Sequence, residues 1–212
     1  MSDETPTRRR AGQHERSSAL VVEERAGVAS VHFNRPAARN SLSSATLAEL
    51  EIVIRALTTR AELTTIIFTG TDDVFASGAD IRELRALDAP TAHAFARRGQ
   101  RLMQQIADAP QLTIAAVNGY CMGGGLDLAL ACRLRCAAPE AVFAHPGARL
   151  GIITGWGGTQ RLPQLIGQAR ALEMFLTARR VRADEALAIG LVNRVGTPVL
   201  DCALELAGIN KN

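Results

Sequence analysis

The chain has 212 residues, of which 47% are hydrophobic and 21% charged, and its formal net charge is +3. This length and composition are typical of one globular domain and exclude a wholly disordered chain. The weak, mixed charge argues against nucleic-acid binding, and no apolar run reaches the length of about 20 residues that a membrane-spanning helix needs.

The N-terminal segment, residues 1–17, is polar and includes three consecutive arginines, Arg8 to Arg10. No apolar stretch follows these arginines, so the segment does not have the pattern of a secretory signal. We predict that residues 1–17 form a disordered tail.

The next part of the chain predicts a β-hairpin, a helix and a buried strand. Strand-like runs at Leu20–Arg25 and Val28–Phe33 flank an Ala-Gly turn. Residues 43–60 carry leucine and isoleucine at helical spacing, with a serine available as N-cap. Residues 64–70 form a short β-branched run that ends in glycine, which is typical of a buried strand.

The rest of the chain alternates predicted helices with predicted strands. Helices are expected at residues 91–107, 126–132, 160–166, 169–178 and 183–189, and strands at residues 112–119, 134–137, 141–144 and 191–195. This alternation, without an internal repeat or linker, predicts an α/β fold in which helices pack on a largely parallel sheet.

Two of the predicted strands lead into glycine-rich turns, at residues 77–80 (Ser-Gly-Ala-Asp) and 123–125 (Gly-Gly-Gly). Glycine allows a positive φ and the close approach of a ligand, and the first amides of a helix have no internal partner. Two such turns side by side can direct two amides at one oxygen, as in an oxyanion hole. The alternative is that the glycines only allow tight turns and close helix–sheet packing.

Asp127 lies in the otherwise apolar helical segment that follows the second turn. A buried carboxylate is costly unless it has a partner, becomes neutral or performs chemistry. The helix N-terminus favours its charged form, whereas desolvation favours the acid. Asp127 is therefore a candidate catalytic residue, and the alternative is a structural role at the start of the helix.

Five segments together form a pattern. They are residues 34–42 (NRPAARNSL), 75–82 (FASGADIR), 117–129 (VNGYCMGGGLDLA), 150–162 (LGIITGWGGTQRL) and 183–195 (ADEALAIGLVNRV). Each segment alone is weakly informative, but the ordered set is specific and extends over most of the chain. In this order the segments resemble the crotonase superfamily, that is, the enoyl-CoA hydratase/isomerase family.

The resemblance implies a crotonase-like spiral of ββα units with helices packed around mostly parallel sheet, a homotrimer or hexamer, and an acyl-CoA substrate. By position, it implies that the amides of Ala79 and Gly124 form an oxyanion hole for an enolate. It implies further substrate contacts at Ala37, Arg39, Asp80, Ile81 and Arg82. Many members have lysine where this chain has Arg82, and both a phosphate contact and a solvated side chain stay open for this arginine.

The chain departs from the family at the two acidic positions of its hydratases. The first falls at Asp127, one methylene shorter than glutamate, and the second falls at Gly147, which has no carboxylate. A lone carboxylate can support hydration only by accepting and returning the proton, or with assistance. His145 is a candidate assistant and Trp156 a candidate pocket residue, with packing roles as the alternative for both.

The family usually continues with several further helices beyond the point at which this sequence ends. We therefore predict three regions: the tail at residues 1–17, a core domain at residues 18–196, and a short C-terminal segment at residues 197–212 that lacks those helices. The effect on CoA affinity and on trimer formation stays open.

The four cysteines, Cys121, Cys132, Cys136 and Cys202, form no CxxC pair and no zinc-binding spacing. We expect reduced, mostly buried thiols of a cytoplasmic protein. No metal or redox cofactor is implied, because coenzyme A enters as part of the substrate.

The favoured hypothesis is an acyl-CoA lyase of the enoyl-CoA hydratase type, active in fatty acid metabolism, with Asp127 as general acid and base. A first alternative is an enoyl-CoA isomerase, which needs one carboxylate rather than two. A second is a catalytically inactive acyl-CoA-binding or assembly subunit, which the missing acid at Gly147 favours. RNA binding rests only on Arg8 to Arg10, and we expect neither a nucleic-acid nor a membrane partner.

Overall fold

The computed structural model describes residues 18–209, so the predicted tail at residues 1–17 lies outside the described residues. The described chain begins with the predicted hairpin. Strand β1 (Leu20–Arg25) pairs antiparallel with β2 (Val28–Phe33), and Gly27 in the turn has a φ of 79°. The two strands have the boundaries that the sequence predicts.

The larger sheet has six strands in the order β1-β2-β3-β5-β7-β10. Its further strands are β3 (Thr65–Thr69), β5 (Leu112–Val117), β7 (Leu134–Ala137) and β10 (Arg194–Val195). Every neighbouring pair after β1 and β2 is parallel. All residues of β3 are buried, which explains why its β-branched run shows no alternation with polar residues.

A second sheet of four short strands has the order β4-β6-β8-β9. The strands are β4 (Val74–Ala76), β6 (Tyr120–Met122), β8 (Val142–Ala144) and β9 (Val181–Arg182). The chain passes repeatedly from a strand of the larger sheet to one of the smaller sheet and then into helix. This repeated ββα unit, with its mostly parallel strands, confirms the predicted architecture.

The helices are α1 (Ser44–Thr58), α2 (Ile81–Arg85), α3 (Ala89–Ala107), α4 (Gly124–Ala131), α5 (Gly158–Ile166), α6 (Gln168–Thr177), α7 (Ala183–Ala188) and α8 (Val199–Leu206). The α1 helix begins where Ser43 accepts a hydrogen bond from the Thr46 amide. The α3 helix begins with a reciprocal pair of hydrogen bonds between Asp88 and Thr91. No helix within residues 18–209 is long and apolar enough to span a membrane.

The two faces of the larger sheet are buried in two separate apolar clusters. Ile66 belongs to the main cluster with α1, α3 and α4, whereas the adjacent Ile67 belongs to the cluster beneath α8. Within the C-terminal segment, α8 buries Val199, Cys202 and Ala203. The main cluster extends into the smaller sheet, so the strands that lead to the candidate site are rigidly supported.

Candidate active site

A cavity of about 260 Å³ lies at the ends of the smaller-sheet strands. It is lined by four stretches of the chain: residues 77–87, 92–96, 123–127 and 145–156. Its lining includes the sequence-predicted residues Ala79, Ile81, Gly124, Asp127, His145 and Trp156, together with Gly147. The fold therefore brings most of the candidate residues to one place, although they come from four separate segments.

The first wall of the cavity consists of the two glycine-rich turns. They follow β4 and β6, which are parallel neighbours, so both turns emerge at the same sheet edge. Gly78 has a φ of 93°, and a β-carbon at this position would lie 2.8 Å from the carbonyl oxygen of Met122 and 3.1 Å from the amide nitrogen of Gly124. The turns are therefore in direct contact, and glycine is required for that contact.

The amides of Ala79 and Gly124 are available on this wall. Gly124 is the first residue of α4, where an amide has no partner within the helix. Among residues 18–209, neither amide donates a hydrogen bond to another protein group. A hydrogen bond fixes the first turn, since the Leu42 amide donates to the Gly78 carbonyl over 2.8 Å. Two residues with free amide donors thus line the same cavity, which is a condition for an oxyanion hole.

Trp156 packs against this wall and is 4% exposed. A β-carbon on Gly124 or on Gly99 would overlap the indole ring, so both glycines allow the ring to approach the backbone. The ring centroid lies 5.4 Å from that of Phe95 on α3. Trp156 is therefore both a core residue and a wall of the cavity, which unites the two roles that the sequence left open.

The second wall carries Asp127, which projects from the first turn of α4 and is 1% exposed. The Thr154 hydroxyl donates a short hydrogen bond to its Oδ2 atom. A β-carbon on Gly158 would overlap the Oδ1 atom, so the glycine at the start of α5 makes room for the carboxylate. The carboxylate thus lies against the N-terminus of α5, whose dipole favours a negative charge.

Burial raises the pKa of Asp127 from 3.8 to about 6. The hydrogen bond from Thr154, the main chain of Trp156 and Gly158, and the positive charge of Arg161 oppose this rise in pKa. A carboxyl group with a pKa near neutrality can both accept and return a proton at physiological pH. This property fits a catalytic acid and base better than a structural cap.

His145 lies beside Asp127 on the second wall and is 2% exposed. Its Nε2 atom lies 3.7 Å from Asp127 Oδ1, and its ring packs against Phe175 with 5.1 Å between the centroids. Within the described part of the chain, neither ring nitrogen of His145 nor Asp127 Oδ1 has a hydrogen-bond partner. Burial lowers the pKa of His145 to about 4, so the imidazole is neutral at pH 7.

Gly147 lies in the 3₁₀ turn at Pro146–Leu150, two residues after His145. A β-carbon on Gly147 would lie 2.5 Å from the carbonyl oxygen of Ile152, whose amide in turn donates to the Gly147 carbonyl over 3.0 Å. Any side chain at this position would therefore require a backbone shift. The backbone conformation of this turn therefore leaves no space for a second carboxylate at position 147.

The other predicted substrate contacts lie outside the cavity lining. Asp80 caps α2 and forms a 2.8 Å ion pair with Arg82, which lowers the pKa of Asp80 to about 2. The Arg82 side chain is 82% exposed. Ala37 and Arg39 are exposed, but the Arg39 carbonyl accepts a hydrogen bond from the Ser77 amide over 3.2 Å. These residues adjoin the first wall without entering the cavity.

The cysteines are packing residues, as expected. All four are buried and unpaired. Burial raises the pKa of Cys132 to about 12 and also raises that of Cys121, which disfavours a thiolate nucleophile. No cluster of three or more metal-ligating side chains occurs among residues 18–209.

Sequence reasoning did not identify Thr154, which donates a hydrogen bond to the Asp127 carboxylate, or Gly158, which makes room for it. It also omitted the apolar lining from α2 and α3, namely Leu84, Leu87, Ala92 and Phe95. Thr154 and Gly158 belong to a glycine-rich run before a helix, and that pattern was the available signal.

Comparison with known proteins adds independent information. A family model described as enoyl-CoA hydratase/isomerase matches residues 23–207. A short-chain-enoyl-CoA hydratase of Clostridium acetobutylicum is 39% identical over 191 residues, which are 89% of this chain and 73% of that protein. A crotonyl-CoA hydratase of Syntrophomonas wolfei is 41% identical, over 84% of this chain and 69% of its own length.

Solved structures agree with these relatives. The crystal structure of an enoyl-CoA hydratase from Bacillus anthracis superposes with a TM-score of 0.86 at 36% identity, over 90% of this chain and 76% of that one. The structure of DspI from Pseudomonas aeruginosa gives the same TM-score and identity, over 94% of this chain and 82% of its own.

Proposed function

The chain belongs to the enoyl-CoA hydratase/isomerase family, and from this premise we propose that it is a lyase that adds water to a 2-enoyl-CoA thioester. The observation that carries the proposal is the shared cavity, in which two free amides lie on one wall and a buried carboxyl group lies on the other. This arrangement supplies the two things that hydration of a conjugated thioester needs: stabilisation of an enolate and transfer of a proton.

The amides of Ala79 and Gly124 bind the thioester carbonyl oxygen. Negative charge develops on this oxygen when water adds to the β-carbon, so both hydrogen bonds become stronger as the reaction proceeds. Losing one donor of this kind typically costs about 3–4 kcal/mol of transition-state stabilisation. The wall is rigid because glycines and main-chain hydrogen bonds hold it in place.

Asp127 acts as both base and acid. Its carboxylate accepts a proton from water, the water oxygen bonds to the β-carbon, and the electron pair of the double bond moves towards the carbonyl oxygen as an enolate. The protonated Asp127 then returns the proton to the α-carbon, which gives a 3-hydroxyacyl-CoA. A pKa of about 6 suits both transfers, because neither protonation state is strongly disfavoured near neutral pH.

The acyl group occupies the apolar part of the cavity, between Leu84, Leu87 and Phe95. These side chains exclude bulk water and so strengthen the hydrogen bonds to the enolate. The CoA moiety extends over the exposed surface by Ala37, Arg39 and Arg82, where the arginines can contact its phosphates. Ala79, Asp80 and Ile81 connect this surface to the cavity.

The proposal extends to the setting of the enzyme. We propose a cytoplasmic protein of fatty acid metabolism, in line with its buried, unpaired cysteines. We also propose a homotrimer or hexamer. Leu172 and Leu176 on α6 are 57% and 69% exposed, and such an apolar surface can be buried between copies of the chain. The mechanism above consists of water addition and proton transfer, assisted by hydrogen bonds, and therefore calls for no metal or redox cofactor.

A second candidate is isomerisation of a 3-enoyl-CoA to a 2-enoyl-CoA. The Ile152 carbonyl occupies the space that a side chain at position 147 would need, and among residues 18–209 Asp127 is the one carboxylate in the cavity lining. Isomerisation needs one carboxylate, which removes a proton from the α-carbon and returns it to the γ-carbon.

The deciding experiment measures turnover of crotonyl-CoA from the loss of absorbance of the conjugated thioester. A 3-enoyl-CoA is assayed in parallel. We expect hydration by the wild type and a loss of about 100- to 10,000-fold in Asp127→Asn. Asp184→Asn is the matched control, because Asp184 also lies in the first turn of a helix but is exposed. Turnover of the 3-enoyl-CoA alone would favour isomerisation, and an active Asp127→Asn variant would contradict the assigned role.

A further inference from the structure

Three buried polar atoms beside the cavity lack a hydrogen-bond partner within residues 18–209: Asp127 Oδ1 and both ring nitrogens of His145. Buried polar groups in proteins are almost always hydrogen-bonded, and an unpaired one destabilises the fold. Asp127 and His145 both line the cavity. A ligand in the cavity is therefore the partner to consider.

The geometry selects one pair of these atoms. Asp127 Oδ2 already accepts the hydrogen bond from Thr154, so Oδ1 is the carboxylate oxygen that is left for a ligand. His145 Nε2 lies 3.7 Å from this Oδ1. That separation is too long for a direct hydrogen bond, but one water about 2.8 Å from each atom can contact both of them. One water placed in this way would satisfy both atoms at once.

The local backbone leaves few other ways to hold a water here. A side chain at position 147 is excluded by the Ile152 carbonyl, so the turn at Pro146–Leu150 contributes no carboxylate. Besides Asp127, the lining residues with polar side-chain atoms are Ser77, His145, Thr154 and Trp156, and the Trp156 indole packs against Gly99 and Gly124. Ser77 lies in the wall of the amides, and Thr154 already donates to Asp127. His145 is the polar side chain that remains next to Oδ1.

We propose that His145 is a catalytic residue that, through Nε2, binds the water that is added to the substrate, jointly with Asp127 Oδ1. This inference rests on the proposed hydratase function. Asp127 removes one proton from the water, the water oxygen bonds to the β-carbon, and the proton later moves to the α-carbon. His145 keeps its own proton throughout and contributes a hydrogen bond that orients the water oxygen.

The neutral state of the imidazole is consistent with this role. Burial keeps the pKa of His145 at about 4, so the side chain neither donates a proton nor adds a charge beside the carboxylate. The positive charge of Arg161 lowers the pKa of Asp127, and burial raises the pKa of the Cys121 thiol and so keeps it neutral. The pair therefore handles one proton, and that proton belongs to Asp127.

The test compares two reactions in the same cavity. Hydration of crotonyl-CoA requires the bound water, whereas exchange of the α-protons of butyryl-CoA in D2O requires the amides and Asp127 but no water addition. His145→Leu should lower hydration by about 100-fold and leave proton exchange within about threefold of wild type. A residue with a merely structural role would lower both reactions together.

Two polar variants show which ring nitrogen of His145 binds the water. Glutamine at position 145 can place its amide near the position of Nε2, whereas asparagine reaches only the position of Nδ1. We expect His145→Gln to recover part of the hydration activity and His145→Asn to recover none. His32→Leu is the matched control, because His32 also has an unpartnered Nε2 beside a carboxylate, 3.6 Å from Glu23, but lies on β2 away from the cavity.

The outcomes separate the two proposals. A wild type that exchanges protons but does not hydrate crotonyl-CoA would overturn the hydratase function and this inference with it. A wild type that hydrates, together with a fully active His145→Leu variant or with equal losses in both reactions, would overturn this inference alone. Equal activities of the glutamine and asparagine variants would also overturn it.

Discussion

The two walls of the cavity differ in how their groups are held. On the first wall, here called the amide wall, the functional groups are the main-chain amides of Ala79 and Gly124. Backbone contacts require the glycines beside these amides, since a β-carbon on Gly78 would lie 2.8 Å from the carbonyl oxygen of Met122. On the second wall, here called the acid wall, the functional groups are the buried side chains of Asp127 and His145, and three of their polar atoms have no partner within residues 18–209.

This difference has an energetic meaning. The residues of the amide wall serve folding and function at once, because the packing that closes the turns also directs the amides. The residues of the acid wall oppose folding, because a buried carboxylate and a buried imidazole lose their hydration. Substitutions should therefore lower both activity and stability on the amide wall but separate the two properties on the acid wall.

The largest effect on activity is expected for Gly124→Ala. The new β-carbon overlaps the ring of Trp156, so the turn must shift and one amide leaves its position. We expect a loss of about 100- to 1000-fold in kcat/KM and a loss of about 1–3 kcal/mol in the free energy of unfolding. Steady-state kinetics and denaturant unfolding measure the two quantities.

Gly196→Ala is the control for this prediction, because its β-carbon would make only ordinary contacts of 3.4 Å, with Cys202. If Gly124→Ala were inactive but as stable as the wild type, the amide wall would not couple folding to function.

The next largest effect is the opposite response of the acid wall. Burial raises the pKa of Asp127 from 3.8 to about 6, so the folded state is penalised for ionising this group. The penalty is absent below pH 3.8, grows as the pH rises and is complete above pH 6. Asp127→Asn should therefore stabilise the fold by about 3 kcal/mol at pH 8 and by little at pH 4.

His145→Leu should show the reverse pH dependence of stability. Burial lowers the pKa of His145 from 6.5 to about 4, so its penalty is absent above pH 6.5 and complete below pH 4. We expect a stabilisation that increases by about 3 kcal/mol as the pH falls through this range. Urea unfolding of Asp127→Asn and His145→Leu at several pH values tests both predictions. A variant whose free energy of unfolding changes with pH in parallel with that of the wild type would contradict the prediction for that variant.

The same contrast explains what the sequence could predict. The hairpin at residues 20–33 and the cap at Ser43 follow from neighbouring residues, and so do the two glycine-rich turns. Strands β4, β6 and β9 have three, three and two residues and were missed, because so short a run shows no periodic pattern. The equally short β8 and β10 were predicted only as parts of the longer runs at residues 141–144 and 191–195. Helices α2 and α8 were also missed, although Asp80 caps α2 and Pro198 precedes α8, because five and eight residues are too few for a clear helical pattern.

The acid wall was less predictable, since it depends on contacts between distant parts of the chain. Asp127 could be singled out as a carboxylate in an apolar helix, but Thr154 is 27 residues away, and the glycine-rich run around it does not indicate which side chain it contacts. The overlap of a β-carbon at Gly147 with the Ile152 carbonyl likewise appears only in three dimensions.

A smaller effect is expected for Thr154→Val, which removes the hydroxyl while keeping the shape of the side chain. The hydrogen bond from Thr154 lowers the pKa of Asp127, so its loss should raise that pKa above about 6. Activity at pH 6 should fall by about tenfold and recover as the pH rises. The pH profile of kcat/KM is the measurement, with the exposed hydroxyl of Thr159 removed in Thr159→Val as the control.

The smallest effect is expected for Arg82→Ala, just outside the amide wall. The side chain is 82% exposed and its ion pair with Asp80 lies at the surface, so thermal stability should hardly change. If the guanidinium contacts a CoA phosphate, the variant should raise KM by a few-fold at low salt, less at high salt, and leave kcat unchanged. Arg85→Ala, at an exposed position of the same helix, is the control. An unchanged KM at low salt would instead make Arg82 a solvated arginine that only supports the Asp80 cap, and the affinity for CoA would then depend on the main chain near Arg39.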